Sequence, residues 1–283
     1  MSNLIIVGAD GSSNATAAIE WAADDAVRMG LPLRIVTAVQ RWPNDIPKFP
    51  APEWEDAVTE SSQKVLAAAE EMARSRQPGI EVTTTLIEGP PALVLREQGK
   101  DATEIVVGTR GLGGFAGAVI GSVSVHVAGH VHCPVVVVRP GRTGTHSEIT
   151  VGLDDSDACE PALAYAFEQA RLRGSTLRAL YAWQVPVHIY APEIVYDMDE
   201  FQAAHDKVVT DRLAGWRERY PEVKVIEDVR RAHAVEALSD ASDTCDLLVV
   251  GSHGRGALGS LFLGSVSRGV LHHARCSVAV VRS

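Results

Sequence analysis

The chain is poor in several things, and each shortage excludes a class. It has four cysteines, Cys133, Cys159, Cys245 and Cys276, with no CxxC pair. That excludes a disulfide framework and points to a reducing compartment. Aromatics make up 5% of the residues and charged residues 22%, against 46% hydrophobic, as in an ordinary globular protein. No apolar run approaches the roughly 20 residues of a membrane span. The opening Met1-Ser-Asn-Leu4 lacks the basic region of a signal peptide. A soluble cytoplasmic protein is the expectation. The net charge of −10 argues against non-specific binding to nucleic acid or to an acidic membrane. There is no Gly-Lys-Ser or Gly-Lys-Thr, which excludes a P-loop.

Two further absences are local. No Asp or Glu occurs between Ile105 and Ser147, or from Leu247 onward. Each acid-free stretch carries the same glycine pattern. Gly108-Thr-Arg-Gly111 is followed, after nine intervening residues, by Gly121-Ser122-Val123-Ser124. Gly251-Ser-His-Gly254 is followed, after nine intervening residues, by Gly264-Ser265-Val266-Ser267. A glycine-rich loop after a strand can expose consecutive backbone N–H groups as an anion nest. The helix N-terminus expected at each Gly-Ser adds free donors and a partial positive charge. Nearby hydroxyls are able to join. The combination predicts an anion site, with a polyphosphate as its natural occupant.

The pattern belongs to a larger repeat. Val7-Gly-Ala-Asp10-Gly-Ser12 aligns with Val151-Gly-Leu-Asp154-Asp-Ser156 at an offset of 144, and the glycine loops align at 143. A 283-residue protein accommodates two domains, placed here at 1–143 and 144–283 and joined by the turn-rich segment 140–147. In each copy strand and helix signals alternate. Strands are expected at Leu4–Val7, Leu33–Val39, Ile80–Ile87, around Val106 and at Val135–Val138. Their counterparts lie around Val151, at Leu177–Trp183, at Val223–Val229, around Val249 and at Val278–Val281. Helices are expected after the first strands, ending at Gly30 and Gly174, with a capping box at Asp157 and Glu160. Others are expected at Glu53–Arg76, Ala92–Gln98, Asp199–Tyr220 and Ala234–Ala241. The acidic runs Glu53–Glu60 and Asp197–Glu200 read as solvated helix starts. Segments 41–52 and 184–192 read as longer loops. Such alternation predicts α/β architecture, with two doubly wound five-stranded parallel sheets and helices on both faces. With strand order 3-2-1-4-5 the switch point brings Asp10 to Gly108, and Asp154 to Gly251, at the carboxyl ends of the strands.

Both halves resemble the universal stress protein family, and the sequence as a whole resembles a tandem member. The doubled Gly-x2-Gly-x9-Gly-Ser signature carries the resemblance. The Val-Gly-x-Asp openings and the His-Cys-Pro-Val and Arg-Cys-Ser-Val approaches to the last strands support it. The resemblance implies an adenine nucleotide α-hydrolase-like fold and one ATP site per domain, with Mg2+. It also implies domain pairing about a two-fold, made internally or as a homodimer, and a nucleotide-responsive stress or signalling role. By position, Gly108, Gly111, Gly121 and Ser122 would hold phosphate, with Val123 and Ser124 completing the helix turn. Thr109, Arg110, Leu112, Gly113 and Gly114 would fill out the loop. Asp10 would sit near ribose or metal, with Gly8 giving clearance and Val39 lining the adenine pocket. The second site would use Gly152, Asp154, Trp183, Gly251, Ser252, His253, Gly254, Arg255, Gly256, Gly264, Ser265, Val266 and Ser267. Asp155 in place of Gly11 and Trp183 in place of Val39 would make the second site bind more weakly or differently.

Several other readings compete. Asp10 and Asp154 also suit turns or helix caps, and Val39 and Trp183 also suit the core. The literal Gly-x-Gly-x-x-Gly from Gly254 to Gly259 follows the fourth strand with no acid after it, so it is not a dinucleotide fingerprint. His126, His130, His132 and Cys133 have zinc-like spacing. The second copy has Gly269, His273, Arg275 and Cys276 there, so a surface or core role is expected and no metal. No general base or Walker lysine is evident, and no catalytic residue is assigned. The alternatives kept open are a slow Mg-dependent ATPase or nucleotidyl-transfer enzyme using Asp10 and Asp154, and a pure interaction protein.

Overall fold

The structure is a computed structural model that describes residues 3–40, 52–112, 119–141, 145–185, 197–254 and 263–282, with 52–56 described by backbone only. The protein divides into two compact units, essentially Met1–Arg142 and Thr143–Val281.

In the first unit the strands are β1 (Ile5–Gly8), β2 (Leu33–Val39), β3 (Val82–Glu88), β4 (Glu104–Gly108) and β5 (Val135–Val138). The helices are α1 (Ser13–Met29), α2 (Pro52–Arg76), α3 (Pro91–Gln98) and α4 (Ser122–His130). The sheet runs β3-β2-β1-β4-β5 and every pairing is parallel. Ile5, Ile6, Ile105 and Val106 are fully buried, as expected for central strands covered on both faces. Ser12 caps α1 by accepting from Ala15 N at 3.2 Å, and Gly30 closes it in the left-handed conformation at φ 65°.

The second unit repeats the plan. Its strands are β6 (Glu148–Leu153), β7 (Thr176–Trp183), β8 (Val225–Arg231), β9 (Leu247–Gly251) and β10 (Ser277–Val281). Its helices are α5 (Glu160–Arg173), α6 (Met198–Arg219), α7 (Ala234–Ala241) and α8 (Ser265–His273). The sheet order is β8-β7-β6-β9-β10, again all parallel. In each unit this is the predicted 3-2-1-4-5 order. Gly174 ends α5 at φ 61°. Asp197 begins α6 by accepting from Asp199 N and Glu200 N at 3.0 and 3.1 Å, so the acidic run does mark a helix start.

Two expectations need correction. The edge strands β3 and β8 begin two residues later than their apolar runs suggest, because Ile80 and Val223 pack in the turns before them. The capping box at Asp157 and Glu160 does not form. Asp157–Cys159 is a 3-10 turn, and α5 starts at Glu160 without a side-chain cap. The physical reason is Arg212 on α6. Its guanidinium donates to Glu160 Oε1 at 3.0 Å, Ser156 O at 3.1 Å and Asp155 O at 3.3 Å. Trp216 Nε1 donates to Glu160 Oε2 at 3.1 Å, so Glu160 cannot reach back to the turn. The loops expected at 41–52 and 184–192 lie almost wholly outside the described residues, as does the middle of the 140–147 segment.

All four cysteines are free thiols. Burial pushes the Cys133 thiol up to about 12, with the Glu104 carboxylate adding to the effect. Cys245 and Cys276 lie buried with their sulfurs 3.6 Å apart. His126 and His130 stack at 4.2 Å, and His130 Nδ1 lies 2.8 Å from His126 O. Burial first, and His130 second, lower the His126 pKa. No group of three or more His, Cys, Asp or Glu suited to a metal ion occurs among the described residues. No described helix is long and apolar enough to cross a membrane.

Candidate functional site

In the first unit the carboxyl end of β1 meets the carboxyl end of β4. Asp10 bridges them. Its Oδ1 accepts from Ser12 N at 3.0 Å, which shapes the turn into α1, and Gly11 completes that turn at φ 83°. Its Oδ2 accepts from Leu112 N at 2.9 Å, in the glycine loop 102 residues away. A Cβ on Gly111 would run into that same Oδ2, far inside van der Waals contact. The glycine is therefore required by the protein's own carboxylate, whatever else approaches the loop. Gly108 is required for a second reason, since a Cβ there would lie 2.7 Å from the backbone carbonyl group of Asn14 on α1. Thr109, buried, donates from Oγ1 to Asn14 Oδ1 at 3.0 Å and locks the same contact.

Helix α4 is stitched to the start of the loop. Gly121 N donates to Thr109 O at 2.6 Å, and Ser124 Oγ donates to Gly108 O at 2.7 Å. The two serines of the motif are thus unlike. Ser124 is buried and its hydroxyl serves the fold, whereas Ser122 is exposed at the helix start. Gly121 is the N-cap of α4, and the helix has no side-chain cap. The amides of Ser122, Val123 and Ser124 keep no hydrogen-bond partner among the described residues. By contrast Ser12, Asp197 and His233 cap α1, α6 and α7 through their side chains. An uncapped N-terminus leaves several donors and the positive end of the helix dipole available.

The second unit reproduces these features. Asp154 Oδ1 accepts from Ser156 N at 3.0 Å and Ser156 Oγ at 2.6 Å. A Cβ on Gly254 would lie 2.5 Å from Asp154 Oδ2. Gly264 N donates to Ser252 O at 2.8 Å, Ser267 Oγ donates to Gly251 O at 2.6 Å, and α8 has no side-chain cap. Here the elements enclose a cavity of about 680 Å³. Asp154, Trp183, His253, Gly254, Ser265 and Val266 are among its walls.

In the first unit the contacts above bring the predicted Asp10, Gly111 and Leu112 together and tie Gly108 and Thr109 to Gly121 and Ser124 at the start of the helix that also carries Ser122 and Val123, with Gly8 at the end of β1. In the second unit Gly152, Asp154, Trp183, Gly251, His253, Gly254 and Gly264–Ser267 line the cavity, and Ser252 is buried beside it. Arg110 is exposed on the loop. Gly113, Gly114, Arg255 and Gly256 lie outside the described residues. Val39 is buried at the end of β2. Clearance at Gly8 and Gly152 is taken up mainly by leucine side chains, Leu95 and Leu238, each 3.1 Å from a Cβ placed there.

Asp155 does not act as a bare extra charge. Its Oδ1 accepts from Tyr181 Oη at 2.5 Å. Cys159, Tyr181, Phe201 and His205 are among the cavity residues that escaped the reading of the sequence. Tyr181 and Trp183 are two apart on β7 and share a face, and Phe201 and His205 are four apart on α6. His205 packs on Trp183 at 4.7 Å and on Tyr181 at 5.4 Å. Burial pushes the Cys159 thiol up while the Arg212 guanidinium opposes it.

Comparison with known proteins identifies the family and the fold. The profile described as "Universal stress protein family" matches residues 1–139 and again 146–282. The chain belongs to the universal stress protein family. It is 34% identical over 286 residues to universal stress protein Rv2005c of Mycobacterium tuberculosis, covering 98% of this protein and 96% of that one. It is 35% identical over 290 residues to universal stress protein MT2698 of the same species, at the same coverage. Among solved structures, a universal stress protein from Archaeoglobus fulgidus matches with a TM-score of 0.74 at 17% identity, covering 98% of this protein and 96% of that one. A putative universal stress protein from Pseudomonas aeruginosa matches with a TM-score of 0.62 at 16% identity, covering 99% and 92%. These two likenesses show the fold of a tandem universal stress protein.

Proposed function

We propose that this universal stress protein is an ATP-binding module with one nucleotide site per unit, and that ATP acts as a ligand that stabilises one state of the protein. One observation carries the reading. In both copies an uncapped helix N-terminus opens onto a glycine loop at the switch point of a parallel sheet. An anion there would accept from amides without partners among the described residues, beside the positive helix end. The loop and its helix contain no carboxylate of their own, and the nearest ones, Asp10 and Asp154, are held by hydrogen bonds within the turn. The aromatic wall of the second cavity supplies a surface for a flat base. Mg2+ would enter with the triphosphate, and Asp10 and Asp154 are the carboxylates close enough to the loops to meet it.

Binding is favoured over turnover because both carboxylates have structural work in the turns, and neither is placed as a free general base. A ligand that binds the folded state stabilises it by about 2.7 kcal/mol at a hundredfold excess over Kd. ATP with Mg2+ should therefore raise the melting temperature by several degrees, with phosphate release no faster than buffer. No shift at millimolar ATP contradicts the reading. Steady phosphate release abolished by Asp10→Ala with Asp154→Ala would favour the slow ATPase instead.

A further inference from the structure

The two copies share a backbone plan but differ in what faces the site. Among the described residues of the second unit, five side-chain polar atoms are buried without a hydrogen-bond partner, and only two of them, Trp183 Nε1 and His253 Nε2, belong to residues that line its cavity. A buried donor left unpaired costs about 1–3 kcal/mol, so two in one cavity call for an explanation.

The two atoms sit in different chemical settings. Trp183 is 6% exposed and lies at the carboxyl end of β7. Its ring is held by His205 at 4.7 Å and Phe201 at 6.2 Å, both from α6. The indole N–H can only donate. What it lacks is an acceptor, and it lacks one inside an aromatic wall suited to a flat heterocycle. His253 lies within the glycine loop, between Ser252 and Gly254, beside the uncapped start of α8. Its Nδ1 is 2.9 Å from Ser252 Oγ. With the serine hydroxyl donating to Nδ1, the ring proton resides on Nε2 and that atom also becomes a donor. The first copy has neither group. Val39 stands where Trp183 does, and Arg110 where His253 does.

From this we infer that the second cavity is a two-ended reader that the first site is not. Trp183 donates its indole N–H to an acceptor on the edge of a heterocyclic base, and His253 donates from Nε2 to the phosphate end of the same ligand. The ligand class is a nucleoside phosphate whose base carries a ring-nitrogen acceptor. Trp183 sets selectivity for the base, and the two units consequently differ in affinity and in tolerance of base changes. This rests on the nucleotide reading above.

The test is indole and imidazole NMR on the full-length 15N-labelled protein, titrated with ATP and separately with inorganic triphosphate. The Trp183 signal is identified by its loss in Trp183→Phe, and the His253 signals by their loss in His253→Gln. ATP is expected to move both residues' signals, and triphosphate those of His253 alone. In Trp183→Phe, which keeps an aromatic surface but removes the donor, ATP affinity at this site should fall about tenfold, roughly one lost hydrogen bond, while triphosphate affinity stays unchanged. If ATP saturates the His253 shift while the Trp183 indole stays still, the inference is overturned and the nucleotide reading survives. If neither residue responds to ATP at millimolar concentration, the nucleotide reading fails for this unit and the inference falls with it.

Discussion

At the scale of single residues, the site is held by a few short contacts that each explain one letter of the motif. Gly108 is there because Asn14 is against it, and Gly111 because Asp10 Oδ2 is. Ser124 is there because its hydroxyl reaches Gly108 O. A motif commonly read as ligand-facing is thus partly a set of internal packing demands. This makes Asp10 and Gly111 energetically coupled. Gly111→Ala should destabilise the first unit and slacken the loop, because the methyl displaces the carboxylate that accepts from Leu112 N. In an Asp10→Ala background the same methyl meets open space and should cost less. A double-mutant cycle by urea denaturation should give a coupling of about 1 kcal/mol or more, as expected for residues in direct contact. Additive effects within about 0.3 kcal/mol would show that the clash is relieved elsewhere.

Among the elements, the parallel strands and their crossovers were legible because buried strands are uniformly apolar and helices carry a 3.6-residue stripe. What stayed hidden was contact between elements. No local signal says that Arg212 of α6 reaches back to the turn before α5 and dissolves the capping box at Asp157 and Glu160. Nor does any say that Phe201 and His205 of α6 meet Trp183 of β7, since sequence spacing shows faces but not partners. In the first unit α1 and α2 are tied by Asp24, which accepts from Arg76 Nε at 3.0 Å and Nη2 at 2.8 Å, and from Gln77 Nε2 at 2.7 Å. Burial pushes the Asp24 carboxyl up, but the hydrogen bonds from Arg76 and Gln77 and the Arg76 charge outweigh it, so its pKa is held below the ordinary value. A depressed carboxylate contributes stability that is present above its unfolded pKa of about 3.9 and lost as pH falls through the folded value. Melting temperature should therefore drop with acid below about pH 4. Asp24→Asn should lower it modestly at pH 7, by about 1 kcal/mol or less because Arg76 is half exposed. The variant should also reduce the acid dependence relative to wild type. A variant whose acid melting profile parallels wild type would remove Asp24 from this account.

For the whole molecule, the duplication was the most legible feature. The two-fold recurrence of Gly-x2-Gly-x9-Gly-Ser at near-constant offset marked the two units, while the strand order came from the alternation of strand and helix signals and the simplest doubly wound arrangement. The divergence of the copies was only partly legible. Trp183 against Val39 and Asp155 against Gly11 could be read directly. That Asp155 is engaged by Tyr181, and that Trp183 and His253 each bury a nitrogen without a partner among the described residues, needed three dimensions. The central claim is that each unit presents unpaired backbone amides to a nucleotide's phosphates. Equilibrium dialysis of the full-length protein against radiolabelled ATP with Mg2+ tests it most directly. The account predicts saturable uptake approaching two ATP per molecule in two steps of unequal affinity, with one step lost in Gly111→Ala. Absence of saturable uptake at millimolar ATP would contradict it.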